Sequence, residues 1–335
     1  MNLIIPMAGR GSRLRPHTLT VPKPFVPIAG KPIVQRLVEG LTRSFKGTVN
    51  EIAFITGDFG DEVTKQLEQI AASVGARGRV YAQDVPLGTA HAILCARESL
   101  TGPCIVAFAD TLFDADFKFD PQAQDGIIWV QKVEDPSSFG VVKLNDEGVI
   151  SDFVEKPNEW VSDLAIVGIY FFRDGDNLRE ELQYLLDNNI KDKGEFQLTN
   201  ALENMKAKGV KFSPGYIREW LDCGNKEAVI HANQRILELL PEEARISPTA
   251  TLSNSVIIPP CAIGDGAVLT NSVVGPHVSV GNKTSVENSV IKNSVIQNES
   301  RISEAHVSDS MIGNYVEYTG VPSDVSIGDY SRVHG

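Results

Sequence analysis

Through the first two-thirds of the chain, short apolar runs alternate with stretches whose apolar residues fall three or four apart. Residues 3–5, 52–56, 79–82 and 104–109 are of the first kind and predict short, largely buried strands. Residues 34–45, 61–74 and 89–100 are of the second kind and predict helices. Strands alternating with helices predict a mostly parallel sheet covered on both faces, with ligands held off the carboxyl ends of the strands. From 150 to 220 the pattern is more mixed and predicts antiparallel strands and a lid over such a site. Residues 237–240 close a helix at Pro241, and 241–248 reads as a linker.

Past the linker the period changes. Asn-Ser-Val recurs at 254–256, 271–273 and 288–290, a spacing of 17, with a further copy at 293–295. Ile263-Gly264 and Val280-Gly281 keep the same spacing. Leu252, Ile257, Ile263, Leu269, Val274, Val280, Val286 and Ile291 stand five or six positions apart. One apolar residue per short strand and three strands per coil mark a hexapeptide-repeat parallel β-helix of roughly four coils. The expected organisation is therefore an α/β domain over 1–240 and a β-helix domain over 246–335.

The first apolar run breaks into Gly9-Arg10-Gly11-Ser12-Arg13, where glycines let the backbone turn and bring its N–H groups close to a ligand. Arg10, Arg13, Arg15, Lys23, Lys31 and Arg36 all precede the first carboxylate, Glu39, in a chain of net charge -12. A cationic, glycine-turned loop after a first strand is suited to phosphate. It is not GxxxxGK[ST], and Leu14 stands where a dinucleotide fingerprint needs its third glycine. Asp110 ends another buried run, a place where a carboxylate caps a helix or meets a cation. The overall acidity argues against nucleic acid or anionic membranes as partners. Four cysteines without CxxC spacing make thiolate metal or redox chemistry a weak reading. With no leader-like start and no long apolar run, the expected location is the cytoplasm.

The loop Gly9-Arg10-Gly11-Ser12-Arg13-Leu14, then Pro16, Thr18 and Pro22-Lys23-Pro24, resembles the signature of the sugar-phosphate nucleotidylyltransferases, the glucose-1-phosphate thymidylyl- and uridylyltransferase group. Ser12 replaces the commoner threonine and keeps the hydroxyl. Later strings follow in family order: Tyr81-Ala82-Gln83 with Leu87-Gly88-Thr89-Ala90, Asp110, Phe139-Gly140-Val141-Val142, Glu155-Lys156-Pro157, Val167-Gly168-Ile169-Tyr170, Gly194-Glu195-Phe196-Gln197 and Trp220-Leu221-Asp222-Cys223-Gly224.

The resemblance implies a Rossmann-like, mostly parallel mixed sheet, with the β-helix left-handed. It implies that Ala8, Gly9, Gly11, Ser12, Arg13 and Lys23 hold a triphosphate, and that Gln83, Gly88 and Thr89 meet the base, Gly88 by permitting close approach. Gly140, Glu155, Lys156, Gly168 and Glu195 would hold the sugar phosphate, and Asp110 and Asp222 would bind Mg²⁺. The implied reaction joins a nucleoside triphosphate, dTTP or UTP first, to a sugar 1-phosphate. Arg13, Lys23, Asp110, Lys156 and Asp222 are its catalytic residues. N-Acetylglucosamine 1-phosphate uridylyl transfer, mannose 1-phosphate guanylyl transfer and a non-catalytic regulatory homologue are the alternatives. An acyltransferase in the β-helix would need His277 or His306, both expected in exposed turns. The short β-helix also suggests a homo-oligomer, because its ends and flanks need covering.

Overall fold

The computed structural model describes residues 1–9, 11–45, 47–115, 117, 119–240 and 246–320. Arg10, most of the expected linker and the last part of the expected β-helix domain lie outside the described residues. The chain forms two compact units: Met1–Val26 with Lys31–Asn225, and Pro27–Gly30 with the chain from Lys226 on.

In the first unit the opening apolar run becomes strand β1 (Asn2–Pro6). Leu3, Ile4 and Ile5 are all fully buried, as expected of a strand covered on both faces. It lies between β2 (Glu51–Thr56) and β4 (Cys104–Ala107), parallel to both, and β3 (Arg77–Ala82) runs parallel along β2. Helices α1 (Ile33–Ser44), α2 (Gly60–Ser73) and α3 (Thr89–Cys95) connect them. Helix α3 stops five residues before the expected end at 100. Residues 96–99 close tighter turns, and Ser99 is tied by its hydroxyl to Tyr81 and Glu51 on neighbouring strands.

Beyond β4 come β5 (Thr111–Asp114), β6 (Gly126–Lys132), β7 (Gly140–Leu144), β8 (Ile150–Glu155) and β9 (Leu164–Phe172). Helices α4 (Gly175–Asp187) and α5 (Leu198–Ala207) follow, then β10 (Phe212–Tyr216) and β11 (Glu219–Asp222). The main sheet has nine strands, ordered β8-β7-β9-β4-β1-β2-β3, with β6 pairing β9 and β10 pairing β6. Strand β9 meets β4, β6 and β7 antiparallel, which supplies the antiparallel strands expected over 150–220. Strand β11 leaves this sheet and pairs antiparallel with β5, setting Asp222 opposite Thr111.

In the second unit, stacked parallel strands form three sheets of five, four and four strands, a parallel β-helix. The rungs are Leu252–Leu269–Val286–Ile302, Ile257–Val274–Ile291–Val307 and Ile263–Val280–Ile296–Ile312. The tripeptide repeat has a residue-by-residue cause. Asn254, Asn271 and Asn288 turn a corner at φ 45, 48 and 47, a left-handed region that asparagine tolerates. Their amides stack, Asn254 donating to Asn271 at 2.8 Å, Asn271 to Asn288 at 3.1 Å, and Asn288 to Glu304 at 2.6 Å. The serine hydroxyls accept from the next coil's backbone, Ser272 N–H to Ser255 and Ser289 N–H to Ser272, each at 3.1 Å. The copy at 293–295 sits one corner later. There Lys292-Asn293-Ser294 replaces Gly275-Pro276-His277-Val278, and the register drops from 17 to 16: Val274 pairs with Ile291, but Val280 with Ile296.

Helix α6 (Lys226–Leu239) belongs to this unit. Its Asn233 is fully buried, and Asn233 Oδ1 accepts from Ala29 N–H at 2.8 Å and from Ser279 Oγ at 2.6 Å. His277 differs from the expected exposed turn residue: its Nε2 lies 3.0 Å from Glu238 Oε1 on α6. His306 is exposed, but opens the strand His306–Ser308 instead of a turn. Among the described residues no helix is long and apolar enough to cross a membrane.

Removing the amide of Asn233 takes away the buried oxygen that accepts from both the Ala29 N–H and the Ser279 hydroxyl. Asn233→Ala is expected to cost about 2–4 kcal/mol, read as a lower denaturant midpoint with an unchanged far-ultraviolet spectrum.

Candidate active site

The glycine loop is held in place from below. Gly11 sits at φ 60 and opens the short 3₁₀ turn Ser12–Leu14, whose Leu14 is buried. A Cβ on Gly11 would stand 2.8 Å from the Cβ of Lys23, so the loop and the Pro22-Lys23-Pro24 segment touch only because Gly11 lacks one. Thr18 Oγ1 donates to the Gly11 carbonyl at 2.7 Å. A Cβ on Gly9 would meet nothing within 4 Å, which leaves the loop's outer side open. Lys23 is buried, and its Nζ lies 2.7 Å from Asp110 Oδ2.

Asp110 follows β4, and its carbonyl accepts from Cys223 N–H at 2.9 Å. With Asp222 opposite Thr111 on β11, the two carboxylates converge although 112 positions separate them in sequence. A Cβ on Gly224 would stand 2.7 Å from Asp222 Oδ2 and 3.2 Å from an Arg13 guanidinium nitrogen. Burial pushes the Asp222 carboxyl above its ordinary range, and Asp110 pushes it further, while Lys23 and Arg13 pull it back.

Two adjoining cavities open here. The first, about 360 Å³, is lined by Ala8, Gly9, Gly11, Ser12, Arg13, Lys23, Gln83, Gly88, Thr89 and Asp110. The second, about 530 Å³, is lined by Arg13, Thr89, Asp110, Gly140, Glu155, Lys156, Gly168 and Asp222. Arg13, Thr89, Phe108 and Asp110 border both, so the cavities meet at one cation and one carboxylate.

Two expected residues stand differently. Glu195 lines the first cavity, beside Gly88, and not the second with Glu155 and Lys156. Gly88, at φ 117, is packed against protein: a Cβ there would lie 2.4 Å from the Phe196 carbonyl oxygen. Its glycine is required by the Phe196 backbone before any base is considered. Gln197, which carried no expected role, joins the two: its Oε1 accepts from Thr89 Oγ1 at 3.1 Å and its Nε2 donates to Glu195 at 3.1 Å.

On the far side, Lys156 adopts φ 43, a left-handed conformation that costs energy for a residue with a Cβ. Lys193 Nζ donates to the Lys156 carbonyl at 2.7 Å and to that of Glu155 at 3.3 Å, holding this turn. Glu155 Oε1 lies 3.8 Å from Lys156 Nζ. Burial pushes the Glu155 carboxyl up, against the opposing pull of Lys156. Lys193 gave no sequence signal, because its partners are backbone carbonyls.

The folded state holds the Asp222 proton more tightly than an unfolded chain would. Ionised Asp222 therefore opposes folding above its ordinary range, and the penalty fades as pH falls through the raised value. Asp222→Asn is expected to raise the melting temperature of the ligand-free protein at neutral pH by about 1–3 °C, with less gain near pH 4. Scanning calorimetry at the two pH values checks this, and a lower melting temperature at neutral pH counts against the assigned repulsion.

The nucleotidyl transferase family model matches residues 3–238. The chain is 28% identical to the glucose-1-phosphate thymidylyltransferase of Streptomyces griseus, over 99% of this chain and 99% of that one. It is 30% identical to the low-salt glycan biosynthesis nucleotidyltransferase Agl11 of Haloferax volcanii, over 76% of this chain and 72% of that one. Among solved structures, a UDP-glucose pyrophosphorylase in complex with UDP-glucose is similar with a TM-score of 0.58 and 25% identity, covering 71% of this chain and 99% of that one. A match over most of the chain, on the fold and the loop described above, means that this protein belongs to the nucleotidyl transferase family.

Proposed function

We propose that the chain transfers a nucleotidyl group from a nucleoside triphosphate to a sugar 1-phosphate, releasing pyrophosphate and a nucleotide sugar. One observation carries the reading: the cation-rich cavity and the cavity holding Lys156 meet at Arg13 and Asp110, with Asp222 on the Lys156 side. Two anionic ligands placed in them would present their phosphates to each other where the charged groups gather. The relatives named above support the sugar-phosphate class. Thymidylyl or uridylyl transfer to glucose 1-phosphate is the favoured pairing, and the N-acetylglucosamine and mannose pairings are the alternatives.

A sugar phosphate is already anionic at neutral pH, so the nucleophile needs no general base. The protein's task is to cancel repulsion between polyanions and align the attacking oxygen with the phosphorus and the departing pyrophosphate. Arg13 and Lys23, on the loop side, draw the triphosphate in and stabilise charge on the leaving pyrophosphate. Lys156 holds the attacking phosphate, and Glu155 accepts from a sugar hydroxyl. The nearly enclosed Lys23 has little conformational freedom left to lose on binding.

Asp110 and Asp222 fit Mg²⁺, which takes one or two carboxylates and fills its remaining positions with phosphate oxygens and water. The unfavourable ionisation of Asp222 is also the kind of charge a cation relieves. Bound there, Mg²⁺ would supply positive charge between the two phosphates.

Asp110→Asn is expected to lower turnover about 100-fold or more at saturating Mg²⁺, with the far-ultraviolet spectrum retained and a lower melting temperature, because the buried Lys23 ammonium loses its counter-charge. Lys156→Ala should raise the KM for the sugar phosphate at least about tenfold, since a charged hydrogen bond is worth about 1.5–3 kcal/mol. Arg13→Ala should instead depress kcat/KM for the triphosphate. Pyrophosphate release across a matrix of triphosphates and sugar phosphates measures all three and fixes the substrate pair. Near-normal turnover of Asp110→Asn, or a Lys156→Ala effect confined to the nucleotide, would overturn these assignments.

A further inference from the structure

The first cavity holds a pair whose hydrogen-bonding sense can be worked out from one fixed group. Gln83, directly after β3, lines this cavity together with Gly88. Its Nε2 lies 3.3 Å from the Gly88 carbonyl oxygen and 3.0 Å from Nδ1 of His91 on α3. A carbonyl oxygen can only accept, so the atom facing Gly88 must be the amide nitrogen and not its oxygen. The same nitrogen faces His91, so His91 Nδ1 is the acceptor, and the ring is neutral with its proton on Nε2. Burial lowers the His91 pKa, which favours that neutral form.

The Gln83 amide nitrogen has two hydrogens, and these two contacts use both. What Gln83 retains for a ligand is Oε1, an acceptor. On the reading that this cavity takes the base of the triphosphate, we propose that His91 is a positioning residue that sets which base is accepted. It holds the Gln83 amide so that its acceptor meets a base carrying a ring N–H, as uracil and thymine do at N3, and as guanine does at N1. Cytosine at N3 and adenine at N1 present a lone pair there, and two acceptors face each other. The polar edge of Gln83 is then left unpaired, and a site built to hydrogen-bond one edge discriminates by this route. Without His91, the amide keeps only the longer contact to Gly88 and is free to turn its nitrogen toward the cavity.

Uracil and cytosine are close in size and differ at this edge, so UTP and CTP form the test pair. Calorimetric binding of each nucleotide to the full chain is compared with the ratio of kcat/KM values. Wild type is expected to prefer UTP at least tenfold. His91→Phe should cut that ratio at least fivefold, in part through a gain with CTP, while the KM for the sugar phosphate stays unchanged. His91→Gln restores a side-chain acceptor and should recover most of the preference, which a purely structural role for the ring would not produce. If His91→Phe does not fold, His91→Leu carries the same comparison. A wild-type preference for CTP, or an unchanged ratio in the folded His91→Phe protein, overturns the role of His91 and leaves the proposed reaction standing. Failure of every nucleoside triphosphate to bind wild type would instead overturn the reaction, and this inference with it.

Discussion

The ion pair between Lys23 and Asp110 is the contact on which the rest of the site depends. A buried ammonium is tolerated only beside a counter-charge, and Asp110 supplies it at 2.7 Å. Each partner is also a backbone anchor. The glycine loop rests against the Cβ of Lys23, which only Gly11 permits, and the chain after β11 donates to the Asp110 carbonyl. Four segments far apart in sequence are thereby drawn to one point: the loop, the proline-flanked lysine, the end of β4 and the end of β11. The same convergence buries Asp222 and places it near Asp110, and both burial and that second carboxylate raise the Asp222 pKa. Stability is given up at this point for an electrostatic arrangement that suits anionic ligands and a cation.

What could be read from sequence was local. A strand covered on both faces announces itself as an unbroken apolar run, and Leu3–Ile4–Ile5 did so. The β-helix was legible because each coil repeats the same three demands: a residue that tolerates a left-handed corner, a hydroxyl that accepts from the next coil, and an inward aliphatic. The shortening from 17 to 16 was also present in the sequence, as the fourth Asn-Ser-Val only five residues after the third. Only the paired strands reveal that it marks the following corner.

What escaped was set by partners distant along the chain. Gly88 lines the first cavity, and its missing Cβ also makes room for the backbone of Phe196, which no local pattern disclosed. Glu195 followed the sugar-side motifs in order, yet the contact between Gly88 and Phe196 draws its segment to the other cavity. Gln197 and Lys193 reach groups far along the chain, the Thr89 hydroxyl and the carbonyls of Glu155 and Lys156, and His91 meets the side chain of Gln83 from the neighbouring helix. His277 was read as a turn residue from its flanking proline, and the turn is there. Helix α6 then brings Glu238 against the ring, which no pattern within the β-helix could disclose.

The route of the chain just after Lys23 ties these observations together. It passes from the first unit to the second after Val26 and returns at Lys31, so Pro27–Gly30 belongs with α6 and the β-helix. Within that second unit, Ala29 is fixed by its N–H bond to Asn233, and Ala29, Leu237 and Ala262 form one small apolar cluster. Asn233 in turn is held by Ser279, a residue of the coils. Loss of the β-helix would therefore remove Ala262 from that cluster and Ser279 from that network, loosening the anchor of a segment only six residues beyond Lys23. Within the second unit, the coils, α6 and Pro27–Gly30 are thus held together by one buried asparagine and one small apolar cluster.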